Sequence, residues 1–456
     1  MLYDNALIAV DYLSALQTTH NVAYERVLRD TLDYVLAEMA DAAGGFYSAT
    51  DADSLAPNGE SEEGAYFTWT RTEVELLLGA DDARVPIAWY GIVEEGPLDG
   101  RNVLHVWHDE DEVAAELGLT RDDFEKRLSA ANAMMLAARR LRPPPVRDDK
   151  ILVAWNGLMI SALAKAGFVL GEPRYVESAV RCAEYILGSM RKEGRLSRVS
   201  LAGEVAGPAF LEDYAFFIRG LIDLYESTGE TRWIEEAIAL QAIQDADFLD
   251  LEGGGYFRTA KNGEILLARE KPIADGALPS GNSVAASNLS RLAGLSGRAI
   301  YEERLALLYA AFAKELDDSG TSAATLLETV SDREAGLLEV VVVDPKVADE
   351  RADEREDEGA VKAVARRRPG RAHSDAILDP LRSIFAPNRV VIRTREGERI
   401  EALQEVLPIV KGKSAIGGKT TVYVCEDRVC QFPTNDSSVF AKLLSVLPEA
   451  DPDKDR

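Results

Sequence analysis

Cysteine is scarce in this chain. Only three occur in 456 residues, Cys182, Cys425 and Cys430. So low and odd a count argues against a disulfide-stapled scaffold and is read as the mark of a reducing, cytoplasmic compartment. Positive charge is short as well: 51 Lys and Arg stand against 78 Asp and Glu, for a net charge of −27. Such a surface repels phosphate backbones and anionic headgroups, so neither nucleic acid nor membrane is expected as a partner. Histidine is limited to His20, His105, His108 and His373. The opening MLYDNALIAVDYLSAL carries Asp4 and Asp11 and no basic stretch, which is unlike a secretory signal. No apolar run is read as long enough to span a bilayer. P-loop, HExxH and GxSxG motifs are missing, and no GxGxxG follows a strand. The expectation is therefore no cofactor and no metal.

What the chain does contain is a repeat. DNALIAVDYLSAL, WNGLMISALAKAGFVL, EDYAFFIRGLIDLYEST and GNSVAASNLSRLAGLS each start at an Asn or an acid and run about four helical turns with an apolar face. Each ends at a short corner: Thr19-His20, Leu170-Gly171, Thr228-Gly229 and Ser296-Gly297. Glycine suits the left-handed C-cap at such a corner. An aromatic follows four residues later, at Tyr24, Tyr175, Trp233 and Tyr301, where it is expected to pack as core. After the second helix come GGFYSATDADS, GRLSRVS and GGGYFRTAKNG, which look like short β-hairpins. A less regular stretch separates the first two repeats, with NVLHVWHDE in it read as a strand. Helical hairpins with corners this short pack antiparallel. Repeated units that each need a neighbour build an array, here an α/α toroid with first helices inside and second helices outside, about five hairpins over residues 1–330.

Such an array collects its long loops and its inner-helix N-termini at one end, where sites are usually built. The residues expected there are Tyr3, Asp4, Asn5, Trp155, Asn156, Glu212, Asp213, Tyr214, Ser280 and Asn282. The loops add Asp51, Asp53, Glu63, Tyr66, Trp69, Asp148, Asp149, Lys150 and Asp275. Capping competes with ligand binding for Asn5, Asn156, Asp213 and Asn282, because Asn, Asp and Ser are preferred N-caps. Sugar chemistry needs two carboxylates across a cleft and aromatic faces for the ring. Asp213, Glu212, Asp149, Asp148 and Asp53 are the candidate acids. Asp4, Asn5, Asp51, Tyr66, Trp69, Lys150, Trp155, Asn156, Tyr214, Asp275, Ser280 and Asn282 are the candidate substrate contacts. Epimerisation beside a carbonyl wants a base near neutral pKa, often histidine, and only His105 is placed plausibly for it. GALPSGNS lacks the lysine of a phosphate loop and reads as a turn that seats an inner helix.

Past residue 330 the pattern changes. GLLEVVVVDP, APNRVVIRT and KTTVYVCEDRVCQF read as strands, alternating with helical RIEALQEVLPIV and SSVFAKLLSVL. Residues 331–456 are thus expected to form a small α/β element. ADEREDEGAVKAVARRRPGRAH, within it, reads as an exposed helix or loop. Cys425 and Cys430 are spaced C-x4-C. A zinc site wants four ligands, and no second pair exists. The pair reads as a plain strand turn, or as a redox pair if the turn brings the sulfurs close.

Taken in order, MLYDNAL, GGFYSATDADS, EEGAYFTWT, GRNVLHV, RDDKILVAWNGLMISALAKAG, FLEDYAFFIRGLIDLYESTGE, GGGYF, DGALPSGNSVAASNLSRLA and VYVCEDRVC resemble the thioredoxin-domain-containing protein family of YyaL-like bacterial proteins and the animal spermatogenesis-associated protein. The resemblance covers nearly the whole chain. It implies an (α/α)6 toroid of the six-hairpin glycosidase type, preceded in the family by a thioredoxin-like domain and a first helical hairpin. Both would be lacking here, so the toroid is expected to be incomplete at its N-terminus. A carbohydrate-active or carbohydrate-binding toroid is the first expectation, with hydrolysis ahead of epimerisation or isomerisation. A non-catalytic toroid that partners a thioredoxin-like domain is the second.

Overall fold

The computed structural model describes residues 1–56, 58–106, 108–263, 267–346 and 376–445. The acid-then-base stretch of the C-terminal part lies outside them. The chain divides into two compact units, Met1–Ser48 with Asp149–Arg456, and Ala49–Asp148. The composition change near residue 330 falls inside the larger unit.

Elements are numbered in chain order. Among the described residues, the larger unit has four helical hairpins. They are α1 (Leu2–Thr19) with α2 (Val22–Tyr34), α7 (Val153–Leu170) with α8 (Pro173–Ser189), α9 (Leu211–Thr228) with α10 (Thr231–Phe248), and α11 (Gly281–Ser296) with α12 (Ala299–Ser319). A further helix, α13 (Ala324–Glu334), packs on α11. The first helices stand side by side in the order α1, α7, α9, α11, α13, and each is backed by its hairpin partner where it has one. This is a mainly α arrangement of the α/α-toroid type.

The corners behave as the glycines require. His20, Gly171, Gly229 and Gly297 all take left-handed conformation at the C-cap. Tyr175, Trp233 and Tyr301 are buried behind those corners, whereas Tyr24 is only half-buried. Outer helix α8 buries Tyr175, Ala179, Cys182, Ala183 and Ile186, the three-to-four-residue spacing of an amphipathic helix. Inner helix α7 is buried on nearly all sides instead. It spans 18 residues with mean hydropathy 1.5, so by length and composition it could cross a membrane, contrary to the sequence reading. In the fold 72% of that window is buried, which makes it a core helix. Helices α7 and α9 approach closely because both are glycine at the crossing. A Cβ on Gly157 would stand 2.6 Å from the Phe216 carbonyl carbon, and one on Gly220 would stand 2.7 Å from the Gly157 oxygen.

Of the three ribbons expected after the outer helices, one is a true ladder. Strand β7 (Arg195–Leu201) pairs with β8 (Glu204–Pro208), and also with β5 (Lys150–Leu152) and β6 (Arg191–Lys192). Directly after the other two outer helices stand single bridges, Ala40 with Phe46 and Leu249 with Tyr256, and the end of the first ribbon pairs elsewhere, through Ala49–Thr50 and Asp53–Leu55.

The C-terminal strands form as the β-branched runs predict. The sheet order is β10 (Arg389–Arg395), β9 (Leu338–Asp344), β11 (Thr421–Glu426), β12 (Val429–Cys430). Strand β9 runs parallel to β10 and antiparallel to β11. One face, with Val340, Val342 and Val424, packs on Leu378, Leu381 and Phe440; the other, with Val341 and Val343, joins the core of the helices. A single disulfide nevertheless forms in this sheet. A two-residue turn at Asp427 and Arg428, both at positive φ, sets Cys425 directly opposite Cys430 with Cα atoms 3.8 Å apart, and the two are disulfide-bonded. Local turn geometry, not cysteine number, decided this.

The smaller unit holds the irregular stretch, which adds no inner and outer pair of its own. It comprises α3 (Arg71–Leu78), α4 (Ala80–Trp89), α5 (Glu110–Leu117) and α6 (Arg121–Arg139), with β1 (Ala49–Thr50) pairing β4 (Arg147–Asp148) and a hairpin of β2 (Asp53–Leu55) and β3 (Ser61–Glu63). Thr70 and Glu73 close a reciprocal capping box on α3. Residues 103–106 are irregular, not the strand expected of NVLHVWHDE; among the described residues of that stretch Asn102 alone bridges, to Trp69.

Candidate functional site

The N-termini of α7, α9 and α11 carry the residues that the repeat singled out. Among Asn5, Asn156, Asp213 and Asn282, none is an N-cap, since those positions are held by Met1, Leu152, Phe210 and Ser280. Each lies inside its helix, and the side chains of Asn156, Asp213 and Asn282 reach the preceding repeat. Asn156 accepts the Phe46 N–H at 2.7 Å and donates to the Phe46 carbonyl at 3.0 Å. Asn282 accepts the Tyr256 N–H at 2.8 Å and donates to the Tyr256 carbonyl at 2.9 Å. On α9 the Tyr214 hydroxyl accepts the Leu196 N–H at 3.0 Å instead. So on α7, α9 and α11 one polar side chain pins the ribbon that follows the previous outer helix. Phe46 and Tyr256 each stand at a single bridge, and the amide holds the backbone where no ladder does.

Two aspartates tie neighbouring inner helices together. Asp213 Oδ2 accepts the Phe210 N–H at 2.8 Å, and its Oδ1 accepts the Ala154 N–H of α7 at 3.1 Å. Asp275 Oδ1 accepts the Ser280 N–H at 2.7 Å, and its Oδ2 accepts the Thr325 N–H of α13 at 2.8 Å. Both satisfy orphan donors at helix N-termini. Asp213 is only 1% exposed, and burial pushes its pKa up to about 7 against the opposing pull of Arg198. Ser280 is the N-cap of α11 and accepts the Ser283 N–H at 3.0 Å, as the turn reading of GALPSGNS requires.

Glu212 differs from its neighbour. Its side chain remains 17% exposed and lies 3.2 Å from Arg258 and 3.5 Å from Arg198. Both guanidiniums lie over the Phe210 ring, at 4.5 and 5.7 Å from its centroid. Trp155 is half-buried in an edge-to-face pair with Tyr3, at 4.8 Å. Asp4 and Asn5 occupy the first turn of α1, and the Asn5 amide donates to the Met1 carbonyl at 2.8 Å. Asp149 and Lys150 are exposed at the start of β5, where Lys150 sits opposite Leu201.

The remaining candidates belong to the smaller unit. Asp53 is exposed and faces Glu63 across β2 and β3, and Asp51 Oδ1 accepts the Asp53 N–H at 3.3 Å. Asp148 pairs with Ala49. Tyr66 and Trp69 are buried; Arg142 lies 4.1 Å over the Trp69 ring and donates to the Thr68 carbonyl at 2.7 Å.

A second cluster, midway down the inner helices, went unseen in the sequence. Asp223 of α9 is fully buried, accepts from Ser161 of α7, and meets Arg291 of α11 at 2.7 Å and Lys165 of α7 at 3.6 Å. Arg291 also reaches Glu226 at 2.9 Å. Burial alone would raise the Asp223 pKa, but Arg291, Lys165 and Arg219 together hold it below the usual carboxylate value. Burial lowers Lys165 and Arg219. On α13, burial and the neighbouring Glu328 push Asp332 up to about 6. The signal was available: Lys165 is the lone charge in an otherwise uncharged helix.

Polar groups thus gather at one end and along the inside of an α/α-toroid-type helical array. No known family model matches the chain. Among curated proteins it is similar to spermatogenesis-associated protein 20 of Homo sapiens, 34% identical over 475 residues, which cover 97% of this chain and 57% of that protein. The chain thus spans little more than half the length of that relative. An uncharacterised protein of Caenorhabditis elegans is 33% identical over 337 residues, 67% of this chain and 45% of its own. These matches support kinship with the spermatogenesis-associated protein 20 family. Solved structures with a similar arrangement include a D-mannose isomerase (TM-score 0.35, 12% identical, covering 69% of this chain and 76% of that one). A family 105 glycoside hydrolase of C. acetobutylicum ATCC 824 is also similar (TM-score 0.34, 12% identical, covering 69% and 77%).

Proposed function

We propose that the chain is a member of the spermatogenesis-associated protein 20 family whose toroid binds a carbohydrate at the N-terminal end of its inner helices. Glu212 is the carboxylate that meets the ligand. The observation that carries this reading is Glu212 itself, partly exposed between Arg198 and Arg258 beside the Phe210 ring. A carboxylate, two guanidiniums and an aromatic face are the groups that hold sugar hydroxyls and ring faces. Asp213 braces Glu212 from behind through its bonds to two helix N-termini. Acid and base work would fall to carboxyls, which favours hydrolysis over epimerisation: His20, the histidine among the described residues of the larger unit, lies at a tight corner. A panel of neutral and acidic oligosaccharides tested by calorimetry checks the reading. Glu212→Gln should abolish binding and any turnover while leaving the melting temperature unchanged. No binding to any member of the panel overturns it.

A second reading has its own support. Asp213, Asn156, Asn282 and Asp275 are all committed to bonds within the fold, as in a non-catalytic scaffold. On that reading the toroid partners a thioredoxin-like domain, and capture of such a domain without sugar binding would favour it.

A further inference from the structure

The toroid reading leaves Cys425 and Cys430 without a task. We propose that their disulfide is a thiol–disulfide exchange site for a dithiol, with Cys430 as the sulfur attacked and Glu339 as proton donor to Cys425. The bond has little to do as a staple. A two-residue turn already closes the β11–β12 hairpin, and cross-linking so short a loop restricts the unfolded chain little.

The two sulfurs differ in access. Cys425 is 1% exposed. Cys430 is partly exposed and lines a surface groove of about 480 Å³ with Lys411, Lys413, Tyr423 and Phe432. Val429 and Phe432 beside it are 76% and 95% exposed, so the approach to Cys430 is apolar and open. Behind the disulfide, Glu339 of β9 is in register with Cys425 on the antiparallel strand β11. Directly opposed residues on one face bring their Cβ atoms within about 5 Å. Glu339 is buried, and burial raises its pKa against the Arg428 N–H that it accepts at 3.2 Å. The charged groups facing it are Arg428 and Asp427 from the hairpin turn and Lys413 from the segment before β11. Burial thus favours the protonated carboxyl over the carboxylate at this position.

The attacking thiolate bonds to Cys430 Sγ. The disulfide breaks, and its electron pair leaves on Cys425 Sγ, which takes the Glu339 proton. The second thiolate of the partner then attacks the partner's own sulfur in the mixed disulfide and releases Cys430 as a thiolate, which takes a proton from water. Two electrons and two protons pass to this chain, the partner ends as a disulfide, and Glu339 is reprotonated from water.

The test uses the full chain in native buffer. It is treated with dithiothreitol, with a reduced dithiol protein such as thioredoxin, or with glutathione, then quenched with N-ethylmaleimide and weighed. Both dithiol arms are expected to add alkyl groups at Cys425 and Cys430, and not at the buried Cys182. Faster reduction by the protein arm would name a protein partner, and equal rates a small dithiol. A form of the dithiol protein that lacks its second, resolving cysteine should be trapped on the unaltered chain as a mixed disulfide through Cys430. Glu339→Gln should slow reduction about tenfold or more near neutral pH. If that variant does not fold, the pH profile of the unaltered chain replaces it. Corrected for the attacker's thiolate fraction, the rate should fall as pH rises, and a flat profile refutes the proton role. A disulfide that resists both dithiols until the chain unfolds overturns the proposal.

Discussion

Asp213→Asn removes one titrating group from the junction of α7 and α9. In the folded chain burial raises that carboxyl from 3.8 to about 7, against Arg198 and the N–H groups of Phe210 and Ala154. In the unfolded chain it returns to about 4. The folded state therefore holds the proton more tightly, and the unfolded state binds fewer protons between those values. Stability must fall as pH rises through that window. The contribution is full below the unfolded value and is lost above the folded one. Between about pH 5 and about pH 8 the loss comes to about 2.5 kcal/mol for this group alone. Asparagine carries no such dependence. The net charge of −27 makes both chains less stable at high pH, but that part cancels in the difference between them. Urea unfolding followed by the fluorescence of Trp155 and Trp233 measures the difference across the window. Wild type should lose ground to the variant by about 2.5 kcal/mol as pH rises. A difference constant to within about 0.5 kcal/mol would refute the assignment of a raised pKa to Asp213.

Asn156→Ala strips both partners from the buried Phe46 backbone and should cost about 2–4 kcal/mol in chemical unfolding; Asn282→Ala should do the same at Tyr256. Gly220→Ala drives a methyl into the α7 backbone, and a loss of at least about 1–3 kcal/mol is expected from the melting curve. Arg291→Met leaves Asp223 with Lys165, Arg219 and Ser161 and should destabilise by about 3–5 kcal/mol, less as pH falls, because Asp223 without Arg291 takes a proton more readily. Loss of sugar binding without loss of folding in Glu212→Gln completes the set.

The helical hairpins were legible because their signals are local. A glycine at a corner needs only its own φ, and the spacing of Tyr175, Ala179, Cys182 and Ile186 along α8 needs only 3.6 residues per turn. The β-branched runs of β9, β10 and β11 announced strands for the same reason. The polar residues singled out at the inner-helix ends lie in the first turns of those helices, yet their hydrogen-bond partners were not readable. Capping was the nearest local explanation, but the partners of Asn156 and Asn282 are backbone groups 110 and 26 residues away.

The same distinction holds for the charges. Lys165, Asp223 and Arg291 each interrupt an apolar helix, and a sequence cannot say that three such interruptions meet. The sequence by itself determined which segments are helix, corner and strand, because propensity and periodicity act within a few residues. Only the tertiary structure decided that Asp213 joins two helices while Glu212 faces outward. It also decided that Asp223 is paid for by three cations, and that Cys430 is open while Cys425 is closed. Each of those depends on burial and on partners brought together by packing, which no stretch of chain carries alone.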